Sequence, residues 1–182
     1  MSNEEEVHIL QWTSFRHGSQ TYDLTHLHAR TVQFVNPAKD GKAAITFTVD
    51  VTFSLHCFSR SLPAVGSYDR TLEYSDARET RLFDVARYEL SKHLPGIVKR
   101  LTERKCQHTG KGNFFTVEIV AEDGATVNYA IFFTASKSSR KGRLNVYVQS
   151  AYVKERSKLP AGKPIRFLIV LYNTLNSIPI RD

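Results

Sequence analysis

Cysteine is scarce in this chain of 182 residues: Cys57 and Cys106 are too few for a disulfide framework and show no zinc-type spacing. Reduced thiols and a cytoplasmic setting are the expectation. Long apolar runs are lacking too. No stretch approaches the roughly 18 apolar residues of a membrane span, so no membrane partner is expected. The amino-terminal MSNEEEVHIL is acidic and reads as neither a secretory signal nor a transit peptide. A glycine-rich phosphate loop, a GxSxG elbow, an HExxH pair and a dinucleotide-binding fingerprint are all missing. Familiar motifs therefore give no case for a nucleotide-dependent enzyme, a serine hydrolase of the elbow type or a zinc peptidase.

What is present is charge, unevenly spread. Residues 1–76 hold six Lys/Arg against nine Asp/Glu, whereas residues 77–182 hold 19 against nine, for a net charge of +7. Between 137 and 166 there are nine cations and one anion, Glu155. Cations clustered beside aromatics point to a polyanionic partner, in first place nucleic acid. The plainer alternative is a solvated basic face that serves solubility.

The clearest pattern is AITFTVDVTFSLH, in which Ile45, Phe47, Val49, Val51, Phe53 and Leu55 alternate with Thr46, Thr48, Asp50, Thr52, Ser54 and His56. That is a strand with one buried and one polar face, pairing antiparallel with TVQFV at 31–35. Asp76 and Glu79 resemble a capping box, and Leu82, Ala86, Leu90 and Leu94 follow at helical spacing. Pro95 divides this helix from a second over PGIVKRLTERKC. FFTVEIVA and TVNYAIFFTA then form a hairpin across an Asp-Gly turn at 122–125. RLNVYVQSAYV (143–153) and PIRFLIVLYNTL (164–175) complete the chain, the latter as a central strand or a buried helical end. The expectation is one α+β domain over 1–182: an antiparallel sheet with a central helical pair packed on one face and an extra N-terminal β-hairpin. Residues 1–75 would be a β-rich extension and 76–182 the helices and meander.

The strand 143–153 holds the chemistry. Leu144, Val146 and Val148 share one side of the pleat, and strict alternation places Ser150 and Tyr152 on that side too. An apolar stripe ending in two hydroxyls marks a sheet rim that a ligand can reach. Lys154, and Arg166 from the last segment, are placed to stabilise a phosphate or a developing oxyanion. Lys137, Arg140, Lys141 and Arg143 precede the strand, and Arg156, Lys158 and Lys163 follow it. These seven would hold a nucleic-acid backbone while Tyr147 or Tyr152 stacks on a base. The alternative is that Ser150 and Tyr152 simply pack the sheet edge.

A helical pair, then a meander with a VYVQSAY strand among basic residues, resembles the ribonuclease toxins of the barnase–EndoU–colicin–RelE superfamily over roughly residues 76–172. The resemblance implies a cytoplasmic endoribonuclease that needs neither metal nor cofactor and is neutralised by an acidic antitoxin protein. It casts Tyr152, Lys154 and Arg166 as the reacting cluster, with His93 or His108 as a further acid or base. Residues 1–75 depart from the family's pattern. Two other functions stay open: a non-enzymatic binder of nucleic acid or of the replication machinery, and a protein–protein inhibitor with a basic face.

Histidines offer a second constellation. His26 and His28 face one way in an extended segment and would bind zinc with His56, though no fourth ligand is evident. His56 would otherwise act catalytically or in binding beside Asp50 and Ser54. Cys106 follows cations able to lower its pKa, but a lone cysteine at a helix end is more often structural.

Overall fold

Alternating hydrophobicity organises the fold of the computed structural model, which describes residues 11–110, 112–120 and 124–180. β1 (Phe15–His17) and β2 (Gln20–Tyr22) make a small hairpin around Gly18, whose φ is +59°. β3 (Arg30–Asn36) and β4 (Ile45–Phe53) form the expected antiparallel pair. On β4, Phe47, Val49, Val51 and Phe53 are buried, while Thr48, Asp50 and Thr52 lie on the half-exposed face. Short β5 (Ser59–Arg60), β6 (Glu73–Ser75) and β7 (Thr80–Phe83) make a separate sheet with β7 in the middle.

α1 (Val85–Ser91) and α2 (Leu94–Lys99) follow. Then come β8 (Lys105–His108), β9 (Asn113–Val120), β10 (Thr126–Lys137), β11 (Arg143–Val153) and β12 (Lys163–Arg166), and last α3 (Phe167–Asn176). The main sheet has seven strands in the order β12-β8-β9-β10-β11-β4-β3. Part of the Asp-Gly turn joining β9 to β10, and the acidic amino terminus, lie outside the described residues.

Three expectations change, and one open alternative is decided. First, the sheet is mixed, because β11 pairs parallel to β4 from Arg143–Thr48 to Val148–Phe53. The chain between them, with the small sheet, two helices and the meander, is the long crossover that a parallel pair requires. The β3–β4 hairpin is therefore no extension: it supplies two of the main sheet's strands, and one hydrophobic cluster runs from Trp12 to Leu171.

Second, the described residues do not form the expected central helical pair. α1 and α2 have seven and six residues, and α1 packs beside β5 and β11. Asp76 caps a turn instead of a helix, since its Oδ1 accepts from the backbone N–H groups of Arg78 and Glu79. The helix cap is Asp84, which accepts from Arg87 N–H at 3.0 Å.

Third, of the two readings of the run after Arg166, the buried helical end holds and the central strand does not. Phe167, Val170 and Leu171 bury one face of α3, at spacings of three and four, against β10 and β11. Phe167 meets Phe34 edge-on at 5.0 Å and Phe133 at 5.8 Å. Each such buried aromatic stabilises the fold by about 1.5–3 kcal/mol.

Fourth, a β-bulge interrupts β11. Phe133 pairs with Val148 but Phe132 pairs with Ser150, leaving Gln149 as the extra residue. Beyond it the faces exchange. Ser150 and Tyr152 lie on the side opposite Leu144, Val146 and Val148, and Ala151 takes over the buried stripe.

Candidate nucleic-acid interface

The bulge puts Tyr147, Ser150 and Tyr152 on one face, together with Phe114 of β9 and Phe132 of β10. Phe132 pairs directly with Phe114 and lies diagonal to Tyr152, close enough for aromatic rings to meet. The result is a ladder of three rings. Phe114 and Phe132 stack at 5.5 Å and 28°, Phe132 and Tyr152 at 5.6 Å and 20°. Phe114 is buried, whereas Phe132, Ser150 and Tyr152 are half-exposed.

Two cations rest on this ladder. Lys154 Nζ lies 5.6 Å from the Phe132 centroid and 5.7 Å from that of Tyr152, and it donates to the Tyr152 hydroxyl at 3.5 Å. The Arg87 guanidinium lies 5.0 Å from the Tyr152 centroid. Such contacts are worth about 0.5–1 kcal/mol each where partly exposed. Arg87 is fixed by donating to the carbonyls of Ser59 (2.7 Å) and His56 (3.4 Å). Burial lowers its pKa, with the nearby Asp84 carboxylate pushing the other way.

Adjoining the ladder is a polar cluster. His56 Nε2 lies 2.5 Å from Glu79 Oε1. That hydrogen bond holds the Glu79 carboxyl below its ordinary pKa, against a smaller upward push from burial. Arg78 Nη2 donates to the Tyr147 hydroxyl at 3.2 Å. The Ser54 hydroxyl, which sequence places beside His56, is occupied: it donates to the Gln149 carbonyl at 2.5 Å and accepts from His56 N–H at 3.0 Å.

The YjaZ family model matches residues 14–175, a span that includes His56, Tyr147, Tyr152 and Lys154. The chain belongs to the YjaZ family. It is 30% identical over 173 residues to Protein YjaZ of Escherichia coli (strain K12), covering 93% of each chain. No solved structure matches it.

In this YjaZ-family chain the sequence-derived candidates divide. Tyr152, Ser150, Lys154, Tyr147 and His56 gather around the bulge. Arg166 and Lys163 do not. Both sit on β12, and β8, β9 and β10 lie between that strand and β11. Lys137, Arg140 and Lys141 are exposed at the opposite end of β11 from Tyr152. Arg143 is locked into the fold instead of facing a ligand. Its Nε donates to Asp50 Oδ2 (3.0 Å) and its Nη2 to Asp50 Oδ1 and Thr31 Oγ1 (2.9 Å). Arg156 and Lys158 are ion-paired with Glu118 (2.6 Å) and Glu155 (3.0 Å). Exposed pairs of that kind are weak enough for a phosphate to displace.

The histidines are not brought together. His26 reaches Ser91 (2.8 Å), His28 reaches the Trp12 carbonyl (3.0 Å), and His56 reaches Glu79. Among the described residues no group of three His, Cys, Asp or Glu is arranged to hold a metal ion. His93 lines a separate cleft, and His108 Nδ1 lies 3.0 Å from Asn113 Oδ1. Burial pushes the Cys57 and Cys106 thiols up to about 12, so the cations near Cys106 do not activate it. Among the described residues no helix is long and apolar enough to cross a membrane.

Sequence reading misses Arg78, Arg87, Phe114 and Phe132 as members of the site. The two phenylalanines carry part of a signal, since the Asp-Gly hairpin sets β9 beside β10, but a two-residue turn at 123–124 would put 115, and not 114, opposite 132. Arg87 carries none, because only the tertiary fold brings α1 to β11.

Proposed function

We propose that this chain binds single-stranded RNA across the aromatic face of β10 and β11. The observation that supports this is the stacked ladder ending in half-exposed Phe132 and Tyr152 with Lys154 and Arg87 on it. Bases stack on the rings, and the lysine and the flanking loops meet phosphates. Flat rings accept any base, so the interaction is tolerant of sequence. Fluorescence anisotropy with a labelled oligouridine tests it. Phe132→Ala and Tyr152→Ala should each weaken binding by about 5- to 150-fold, the scale of one lost base–aromatic stack. Tyr152→Phe should bind nearly as wild type. Unchanged affinity in both alanine variants would discard the platform.

A second reading is metal-independent RNA cleavage, in keeping with the toxin-superfamily resemblance. It is favoured by the imidazole–carboxylate pair beside the face. Glu79 accepts from Nε2–H of His56, which leaves Nδ1 as the basic nitrogen. In this scheme His56 takes the ribose 2′-hydroxyl proton, the 2′-oxygen attacks phosphorus, and the P–O5′ bond breaks. Tyr152 donates the proton to the departing 5′-oxygen, while Lys154 stabilises the charged phosphorane. RNA incubated with wild-type protein in EDTA should then be cut. Tyr152→Phe and His56→Ala should each lower the rate by about 10²-fold or more at nearly constant affinity. Tight binding with no cleavage by the wild type leaves the binding reading alone.

A further inference from the structure

A second site lies along β9, away from the aromatic ladder. β8 pairs with β9 only at Gln107–Phe114 and His108–Asn113. Among the described residues, then, Phe115–Val120 has β10 on one side and no strand on the other. Natural sheets seldom leave such an edge bare, because its backbone groups invite another strand. Here the edge borders a cleft of about 440 Å³ whose far wall is α2. Val117, Glu118 and Ile119 all line it. Consecutive strand residues point to opposite faces, so three in a row line a cleft only if it runs along the strand's edge.

The opposite wall is basic. His93, Arg100 and Arg104 face the cleft across the apolar floor of Ile97, Val117 and Ile119. Arg104 Nε is buried and has no hydrogen-bond partner among the described residues. A buried guanidinium N–H without an acceptor is costly, and a carboxylate entering the cleft would satisfy it. Glu118, the acidic residue of the lining, is already engaged by Arg156 at 2.6 Å.

We infer that this cleft captures an extended acidic peptide of a protein partner, which adds as a strand to the edge of β9. Main-chain hydrogen bonds to Phe115–Val120 supply the extended conformation. Side chains of one parity turn toward α2, where carboxylates meet Arg100 and Arg104, and those of the other parity are aliphatic. Alternating acidic and aliphatic residues fit both walls. The edge spans about 20 Å, room for about six residues.

The probe is a fluorescent hexapeptide of alternating Glu and Val, used on the full chain. It should bind, and it should protect the amides of Phe115–Val120 from hydrogen exchange. Proline in place of an internal valine should weaken binding tenfold or more, because a ladder donor is lost and the charge is not. Gly96→Leu should weaken it by a similar factor. A Cβ on Gly96 meets no heavy atom within 4 Å, so the new side chain fills open space above the cleft. Leucine also favours a helix over glycine, so the melting temperature should hold or rise. Exposed Arg100→Glu should act likewise. Phe132→Ala and Tyr152→Ala, which test the RNA face, should leave the peptide bound, so the two ideas fail separately. No binding, equal binding of the proline peptide, insensitivity to Gly96→Leu, or displacement by oligouridine would each overturn the proposal.

Discussion

At the scale of single residues, Arg143 shows how position outweighs type. Its sequence neighbours Arg140 and Lys141 are exposed, and all three read alike as phosphate contacts. Yet Arg143 grips Asp50 with two nitrogens and ties β11 to β4 and β3. Burial raises the Asp50 pKa, but hydrogen bonds from Arg143 and Thr31 outweigh it and leave the carboxyl below its ordinary 3.8. A depressed carboxyl stabilises the fold above its unfolded pKa, and that stability is lost as pH falls through the folded value. Arg143→Ser should therefore destabilise by about 2 kcal/mol at neutral pH, whereas Lys141→Ser should change little. Asp50→Asn should flatten the loss of stability below about pH 4. Urea melts across pH check all three, and equal melts for Arg143→Ser and Lys141→Ser would show the fork to be idle.

At the scale of elements, β4 is the firmest piece. Val49 is fully buried and Thr48 faces the half-exposed side. Val49→Asp should cost several kcal/mol through an unpaired buried charge, and Thr48→Asp far less. Thermal melts in the reverse order would overturn the face assignment. This strand was legible because nine residues keep strict alternation. The β3–β4 and β9–β10 pairings were legible for similar reasons. The bulge was not. Gln149 is an ordinary polar residue, and nothing local shows that it lacks a partner, yet it decides which face carries Ser150 and Tyr152. The helix expected from Leu82 onward failed because Thr80–Phe83 pairs on both sides with β5 and β6, and only then does Asp84 start α1. Pairing of that kind depends on segments far along the chain, which local propensity does not record. Arg166 could join Tyr152 only from a neighbouring strand, and sheet order is a long-range property. The site was thus half legible: its hydroxyls and Lys154 stood out, while Arg87 and the reason for their exposure came from the fold.

At the scale of the whole molecule, β11 sets a ruler between two basic ends. From Arg143 to Tyr152 the strand runs about 30 Å. Lys137, Arg140 and Lys141 cluster at one end, and Lys154, Arg156 and Lys158 at the other. On the proposed RNA-binding reading, with the aromatic platform near the second end, a long strand of RNA would meet all three features and a very short one only the rings and their lysine. Length and salt should therefore separate the contributions. For a 20-nucleotide oligouridine, replacing Lys137, Arg140 and Lys141 with Ser should lower affinity and reduce the slope of log K against log salt by about 2, since each lost phosphate contact removes about 0.7 on single strands. For a tetranucleotide seated on Phe132 and Tyr152, the same variant should bind as wild type, because four nucleotides do not reach the far loop. Stability should not move, as those three side chains are exposed. A slope that stays the same with the long oligomer removes the far loop from the interface. A loss that appears equally with the tetramer shows a diffuse field effect in place of a directed path.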